Sequence, residues 1–197
     1  MIVASTLVAY LLGALPTAQA IARSRGVDLR AAGSQNPGAN NAMRLRGPSL
    51  AAPVLLAEMT KGAVAVLFAG AVAGEAAAVA AGIAAITGNV YNVFYRFEGG
   101  KGLGITGGVL LVAWPTVFVP ITAIILAAAL ISRSSDTATL AAVAVLDALA
   151  VLWAVAEWPT LWGVAPTAQL IALSLAVTVL LWPRRRRGPG VRTPRPE

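Results

Sequence analysis

Two short polar stretches hold most of the residues that could do chemistry. The first reads Gly33-Ser34-Gln35-Asn36-Pro37-Gly38-Ala39-Asn40-Asn41-Ala42-Met43-Arg44. Such a run can aim backbone N–H groups and Asn amides at an anion, with Arg44 as a forked donor. The same composition also suits a solvated turn whose Asn and Ser cap the next helix. The second reads Glu98-Gly99-Gly100-Lys101-Gly102-Leu103-Gly104, then Thr106-Gly107-Gly108. Glycines let a backbone wrap closely round a phosphate, the lysine adds a point charge, and a helix start just beyond adds positive dipole. The spacing is not that of a P-loop, which also needs a parallel sheet. The rival reading is a flexible inter-helix loop with a snorkelling lysine; phosphate binding is favoured here.

Three further features bear on chemistry. The chain has thirteen Arg and two Lys, and both lysines, Lys61 and Lys101, precede a glycine. A compact ammonium suits such places better than a planar guanidinium, although chance explains two residues equally well. Asp147 lies in the middle of an apolar run, where an acid reads by default as functional; a neutral, hydrogen-bonded structural Asp is the equal alternative. There are no histidines and no cysteines. That removes thiolate nucleophiles, His-based triads and His or Cys metal sites, and no metal site or cofactor is expected.

The elements that must position these loops are membrane spans. Of 197 residues, 58% are apolar and 12% charged, and the mean hydropathy is +0.77. A soluble domain carries about a quarter charged residues, so a water-soluble globule is excluded. The uncharged run 1–22 is long enough to span; no basic segment precedes it, and Arg23 and Arg25 follow. That pattern argues against a cleaved signal peptide and for an N-terminus outside. Two spans fit between about residue 50 and residue 95, split at Ala73-Gly74-Glu75, with Glu58 and Lys61 in inner turns. Two short spans fit 102–132, split at Trp114-Pro115, and two fit 137–183, split at Glu157-Trp158-Pro159.

The expected fold is therefore all-α: a polytopic helical bundle of about seven transmembrane helices, N-terminus outside and C-terminus cytoplasmic. Residues 1–183 form one transmembrane domain; the Arg/Pro/Gly-rich 184–197 read as a disordered basic tail. All fifteen basic residues fall on one side, as the positive-inside rule asks, and the +7 net charge points to anionic headgroups rather than nucleic acid. Trp114, Trp153, Trp158, Trp162 and Trp182 sit near proposed helix ends, as interfacial tryptophans do.

In order and spacing, these loops resemble the acyl-phosphate-dependent glycerol-3-phosphate acyltransferases of bacteria, the PlsY family. The family's G-S-G-N-x-G-A-T-N-x-x-R stands here as GSQNPGANNAMR at 33–44, preceded by YLLGALP and GVDLR. Its D-x-x-K-G stands as Glu58-Met-Thr-Lys61-Gly62. Its G-H-x-x-P and G-G-K-G stand as Gly88-Asn89 and Gly99-Gly100-Lys101-Gly102. The likeness covers residues 9–104 well, with a weak echo at Ser132-Arg133-Ser134-Ser135. The sequence departs from the pattern at Glu58 (family Asp), Asn89 (family His), Asn92 (family Pro), Asp136 and Thr139 (family Ser). The family's C-terminal His/Asn/Arg/Glu motif is not recognisable.

The resemblance implies a membrane acyltransferase of phospholipid synthesis. It would move a fatty acyl group from acyl phosphate to glycerol 3-phosphate, giving lysophosphatidic acid and phosphate. Ser34, Arg44 and Lys101 would be the catalytic set. Asn36, Gly38, Asn41, Lys61, Asn89, Gly99, Gly100, Gly102 and Arg133 would bind substrate. The expected partners are acyl phosphate, glycerol 3-phosphate and membrane lipid, at the inner membrane with the site facing the cytoplasm. A transporter or flippase for a phosphorylated solute or lipid, and a non-catalytic paralogue, are the alternatives.

Overall fold

The computed structural model describes residues 1–132, 134–160 and 162–182, so Arg133 and the 184–197 tail lie outside the described residues. Those described form helices and loops, with no strand. In order come α1 (Ile2–Ala14), α2 (Thr17–Arg23), α3 (Ala39–Arg46), α4 (Pro48–Ala73), α5 (Glu75–Val90), α6 (Leu103–Ala113), α7 (Pro115–Ser132), α8 (Ser135–Ala156) and α9 (Ala168–Leu181). Lipid offers no water to backbone amides, so apolar runs of this length have the helix as their available state.

Five candidate spans are long and apolar enough to cross a membrane; α6 and α9 are shorter, at 11 and 14 residues. The first candidate is broken at Leu15-Pro16 into α1 and α2. Proline lacks an N–H and interrupts the ladder, leaving carbonyls that need other donors. Lys61 Nζ donates to Gly13 O at 3.1 Å and Leu15 O at 2.9 Å, and Asn92 Nδ2 donates to Ala14 O at 2.6 Å. Pro53 inside α4 likewise deprives the Ser49 carbonyl of its helical donor, and the Arg25 guanidinium supplies one.

The main core gathers side chains of α1 and α4–α9, Ile86, Ile105, Leu146, Leu170 and Leu173 among them. A smaller cluster of Ala18, Ala22, Val27, Leu29, Ala42, Leu50, Ala51 and Val54 seats α2 and α3 on the first half of α4. Glycine lets α6 lie against α4: a Cβ on Gly62 would overlap the Ile105 carbonyl, and one on Gly108 the Met59 carbonyl. Small residues at such crossings let backbones approach where no hydrophobic effect drives association. Trp114 stands at the break between α6 and α7 but is buried in the protein. It is 1% exposed and packs edge-on to Trp153 at 5.7 Å, which meets Trp158 at 4.9 Å.

Candidate functional site

The polar stretch at 33–44 folds as a loop built on one buried amide, followed by α3. Asn41, 1% exposed, accepts from the Ser34 N–H at 2.8 Å and donates to Leu29 O at 2.9 Å and Ala32 O at 3.0 Å. Both its donors and its oxygen are thus committed to the backbone. Upstream, Asp28 accepts from Gln19, Arg23 and the N–H groups of Arg30 and Ala31, which turns the chain toward the loop. Those donors, Arg23 foremost, hold the Asp28 carboxyl down at about 2.

The glycine stretch is anchored from the other side. Gly99 and Gly100 donate their N–H groups to Val90 O and Asn89 O at the end of α5, at 3.0 and 2.9 Å. Arg30 donates to Glu98 O at 2.9 Å and lies over the Tyr95 ring, 4.1 Å from its centre. Gly102 then takes a left-handed conformation (φ 81°) and starts α6, whose first turn has no side-chain cap. The expected cradle therefore shifts forward. The Gly99 and Gly100 amides face α5, while the uncapped start of α6 at Gly102, Leu103 and Gly104 faces the cavity. Uncapped N–H groups and the helix dipole together suit an anion.

A cavity connects these loops. Its polar end is lined by Asn36, Gly38, Asn40, Glu58, Asn89 and Lys101. Its apolar part runs between α4, α6, α7, α8 and α9 past Leu110, Phe118, Ile125, Val143, Leu146 and Val177. Two buried polar atoms on its wall, Asn36 Oδ1 and Thr106 Oγ1, have no partner. Buried polar atoms are rarely left so, which makes these two candidates for contact with a ligand in the cavity.

At the polar end sits a carboxylate that the site reading of the sequence did not include. Glu58 is 6% exposed and accepts from Thr17 at 2.8 Å, Asn89 Nδ2 at 2.5 Å and Lys61 at 2.9 Å. The Asn89 amide turns its NH₂ toward Glu58 and so presents its oxygen away from it. The signal was present in the sequence, as an acid three residues before a lysine in an apolar helix.

The structure brings some of the expected residues together and not others. Asn36, Gly38, Asn89, Gly100, Lys101 and Gly102 line the cavity. Ser34 and Arg44 are exposed and outside its wall, although Arg44 stands one helical turn beyond Asn40, which lines it. Lys61 is turned away: its three donors go to Gly13, Leu15 and Glu58, which leaves none for a substrate. Asn40, Thr106 and Thr139, outside the expected catalytic and binding set, also line the cavity. Asp147, for which a functional acid and a hydrogen-bonded structural Asp were the two readings, accepts from Thr178 of α9 at 2.8 Å. Lys101 donates to Ser135 Oγ at 3.1 Å and pairs with Asp136 at 2.5 Å.

Fold and site together define a class: a helical integral membrane protein whose cavity joins amide and ammonium donors at one end to an apolar groove. A family model described as glycerol-3-phosphate acyltransferase matches residues 3–188, and the chain belongs to that family. A glycerol-3-phosphate acyltransferase of Agrobacterium fabrum is 37% identical over 183 residues, covering 92% of this chain and 83% of the relative. One from Methylococcus capsulatus is 39% identical over 176 residues, covering 88% and 83%. The crystal structure of PlsY (YgiH), an integral membrane glycerol 3-phosphate acyltransferase, in its glycerol 3-phosphate form superposes with a TM-score of 0.73. It is 28% identical, over 91% of this chain and 86% of that one. The lysophosphatidic acid form of the same protein matches with a TM-score of 0.72.

Proposed function

We propose that this chain transfers a fatty acyl group from acyl phosphate to a hydroxyl of glycerol 3-phosphate. The observation that carries the reading is the two-part cavity, polar where α6 begins and apolar between α7, α8 and α9. An acyl phosphate is already activated, so no protein nucleophile is required. The acceptor hydroxyl attacks the acyl carbonyl, the C–O bond to phosphate breaks, and the proton ends on phosphate. The protein supplies position and charge. Orientation alone can contribute roughly 7–11 kcal/mol, and fixed donors aimed at developing charge add to it.

Lys101 and the first turn of α6 hold phosphate oxygens, with Arg44 reaching in from α3. The oxygens of Asn36 and Asn89 accept from substrate hydroxyl groups, because a dianionic phosphate has no proton to donate to them. Ser34 orients substrate from the loop mouth, and Asn41 acts by shaping that loop. Arg133 adds cationic potential. The N-terminus lies outside, and the site faces the cytoplasm of the inner membrane, because the basic residues gather at that end of the chain's spans.

The test is turnover by purified protein in detergent, with an acyl phosphate and labelled glycerol 3-phosphate. Labelled lysophosphatidic acid is expected, lost in Lys101→Ala and strongly reduced in Asn36→Ala. Folded protein that yields no product across a range of acyl lengths would overturn the reaction. Uptake of label into proteoliposomes without product would favour transport instead.

A further inference from the structure

The Lys101 ammonium is already engaged by an acid of this chain. Asp136 stands in the first turn of α8, and its carboxylate meets Lys101 Nζ at 2.5 Å while Ser135 Oγ accepts from the same ammonium at 3.1 Å. The pair joins Lys101, which lines the polar end of the cavity, to the start of α8. Asp136 lies on the helical face that continues as Thr139, Val143 and Leu146, all of which line the cavity. Both side chains are about half exposed, at 41% and 55%, so neither is locked in place by packing.

We propose that Asp136 is an internal competitor for the phosphate site. Its carboxylate occupies the ammonium that a phosphate group would use, and it swings away when a phosphate-bearing substrate binds. An exchange opens the ammonium to a phosphate group, because Asp136 and Ser135 together leave Lys101 a single uncommitted donor. The displaced carboxylate remains on the adjacent turn of α8, where it repels a dianion more than a monoanion. Asp136 therefore sets how strongly the site holds substrate and which ionisation state it prefers. A half-exposed ion pair is cheap to break, so the competition weakens binding without abolishing it. This inference rests on the reading of the cavity's polar end as a phosphate site.

The test compares native protein with Asp136→Asn, Asp136→Ser, Lys101→Met and the Lys101→Met/Asp136→Asn double variant. Titration calorimetry in detergent follows binding of glycerol 3-phosphate and of inorganic phosphate, and turnover is measured in parallel. Two substitutions at 136 separate loss of charge from any effect on the start of α8, and melting temperatures check folding. Both variants at 136 are expected to bind glycerol 3-phosphate about two- to fivefold more tightly, with KM lowered and kcat little changed. The gain disappears in the Lys101→Met background. Unchanged or weaker binding in both 136 variants overturns the proposal, as does a gain that persists without Lys101. Tighter phosphate binding with no acyl transfer would sink the acyltransferase reading and leave the competition standing. Native protein and 136 variants that bind neither ligand would remove both.

Discussion

Replacing Lys61 with Met separates two roles that the sequence alone cannot tell apart. A substrate-binding lysine would lose affinity on replacement and keep its fold. The structure assigns Lys61 the opposite behaviour. Its ammonium holds Gly13 O, Leu15 O and Glu58, and it is 5% exposed. Met matches the length of the side chain but donates nothing, so two carbonyls at the Pro16 break lose their donor. The buried Glu58 keeps only Thr17 and Asn89. Removing one partner of a buried ion pair costs about 3–5 kcal/mol, because the remaining charge stays buried. For a chain of this size each kcal/mol is worth about 2–4 °C, which puts the fall in melting temperature at roughly 6–20 °C. Adding Glu58→Gln to Lys61→Met removes the stranded charge and recovers part of the loss. The assay is thermal unfolding in detergent, with Lys101→Met as the contrast: that half-exposed lysine should lose function with little change in melting temperature. A Lys61→Met protein that melts like the native one and fails only in ligand binding would refute the assignment.

Three other outcomes are expected. Asn41→Ala removes three hydrogen bonds from one buried amide, worth about 0.5–1.5 kcal/mol each, and leaves backbone groups of the 29–34 segment unpaired; limited proteolysis within 29–41 should accelerate. Asp28, held at about 2 by Arg23 and its other donors, stabilises the fold above the ordinary carboxylate range and loses that contribution as pH falls through the folded value. Asp28→Asn should thus be less stable than native protein at neutral pH, with the gap closing towards pH 2 in chemical denaturation. Ala142 is 3% exposed on the apolar wall of the cavity, so Ala142→Leu should reduce turnover of long acyl phosphates more than short ones. Equal loss at every chain length would place the acyl chain elsewhere.

Helix placement was legible in the sequence because uncharged apolar runs carry few alternatives. The breaks at Gly74, Trp114-Pro115 and Glu157 all fall where α4, α7 and α8 start or stop. Less legible was the break at Pro16, since the run 1–22 is apolar on both sides of it. The order of the polar stretches pointed to the family, and the matching relatives agree. The two lysines, alike in their sequence setting, turned out to have different partners. Asn41 and Asn36, five residues apart in one loop, also divide: one amide is spent on the backbone, the other keeps an unpartnered oxygen in the cavity.

By itself, the sequence determined the membrane class, the helical segments and the two loops where polar chemistry concentrates, because these follow from local composition and chain periodicity. Only the tertiary structure decided which polar groups remain available. Lys61 is used up by Glu58 and by carbonyls 46 and 48 residues away, whereas Lys101, paired with a carboxylate 35 residues away, stays half exposed on the cavity wall. A buried or half-buried donor is satisfied by whatever acceptor the packing brings to it, and that acceptor's distance along the chain has no bearing on its distance in space.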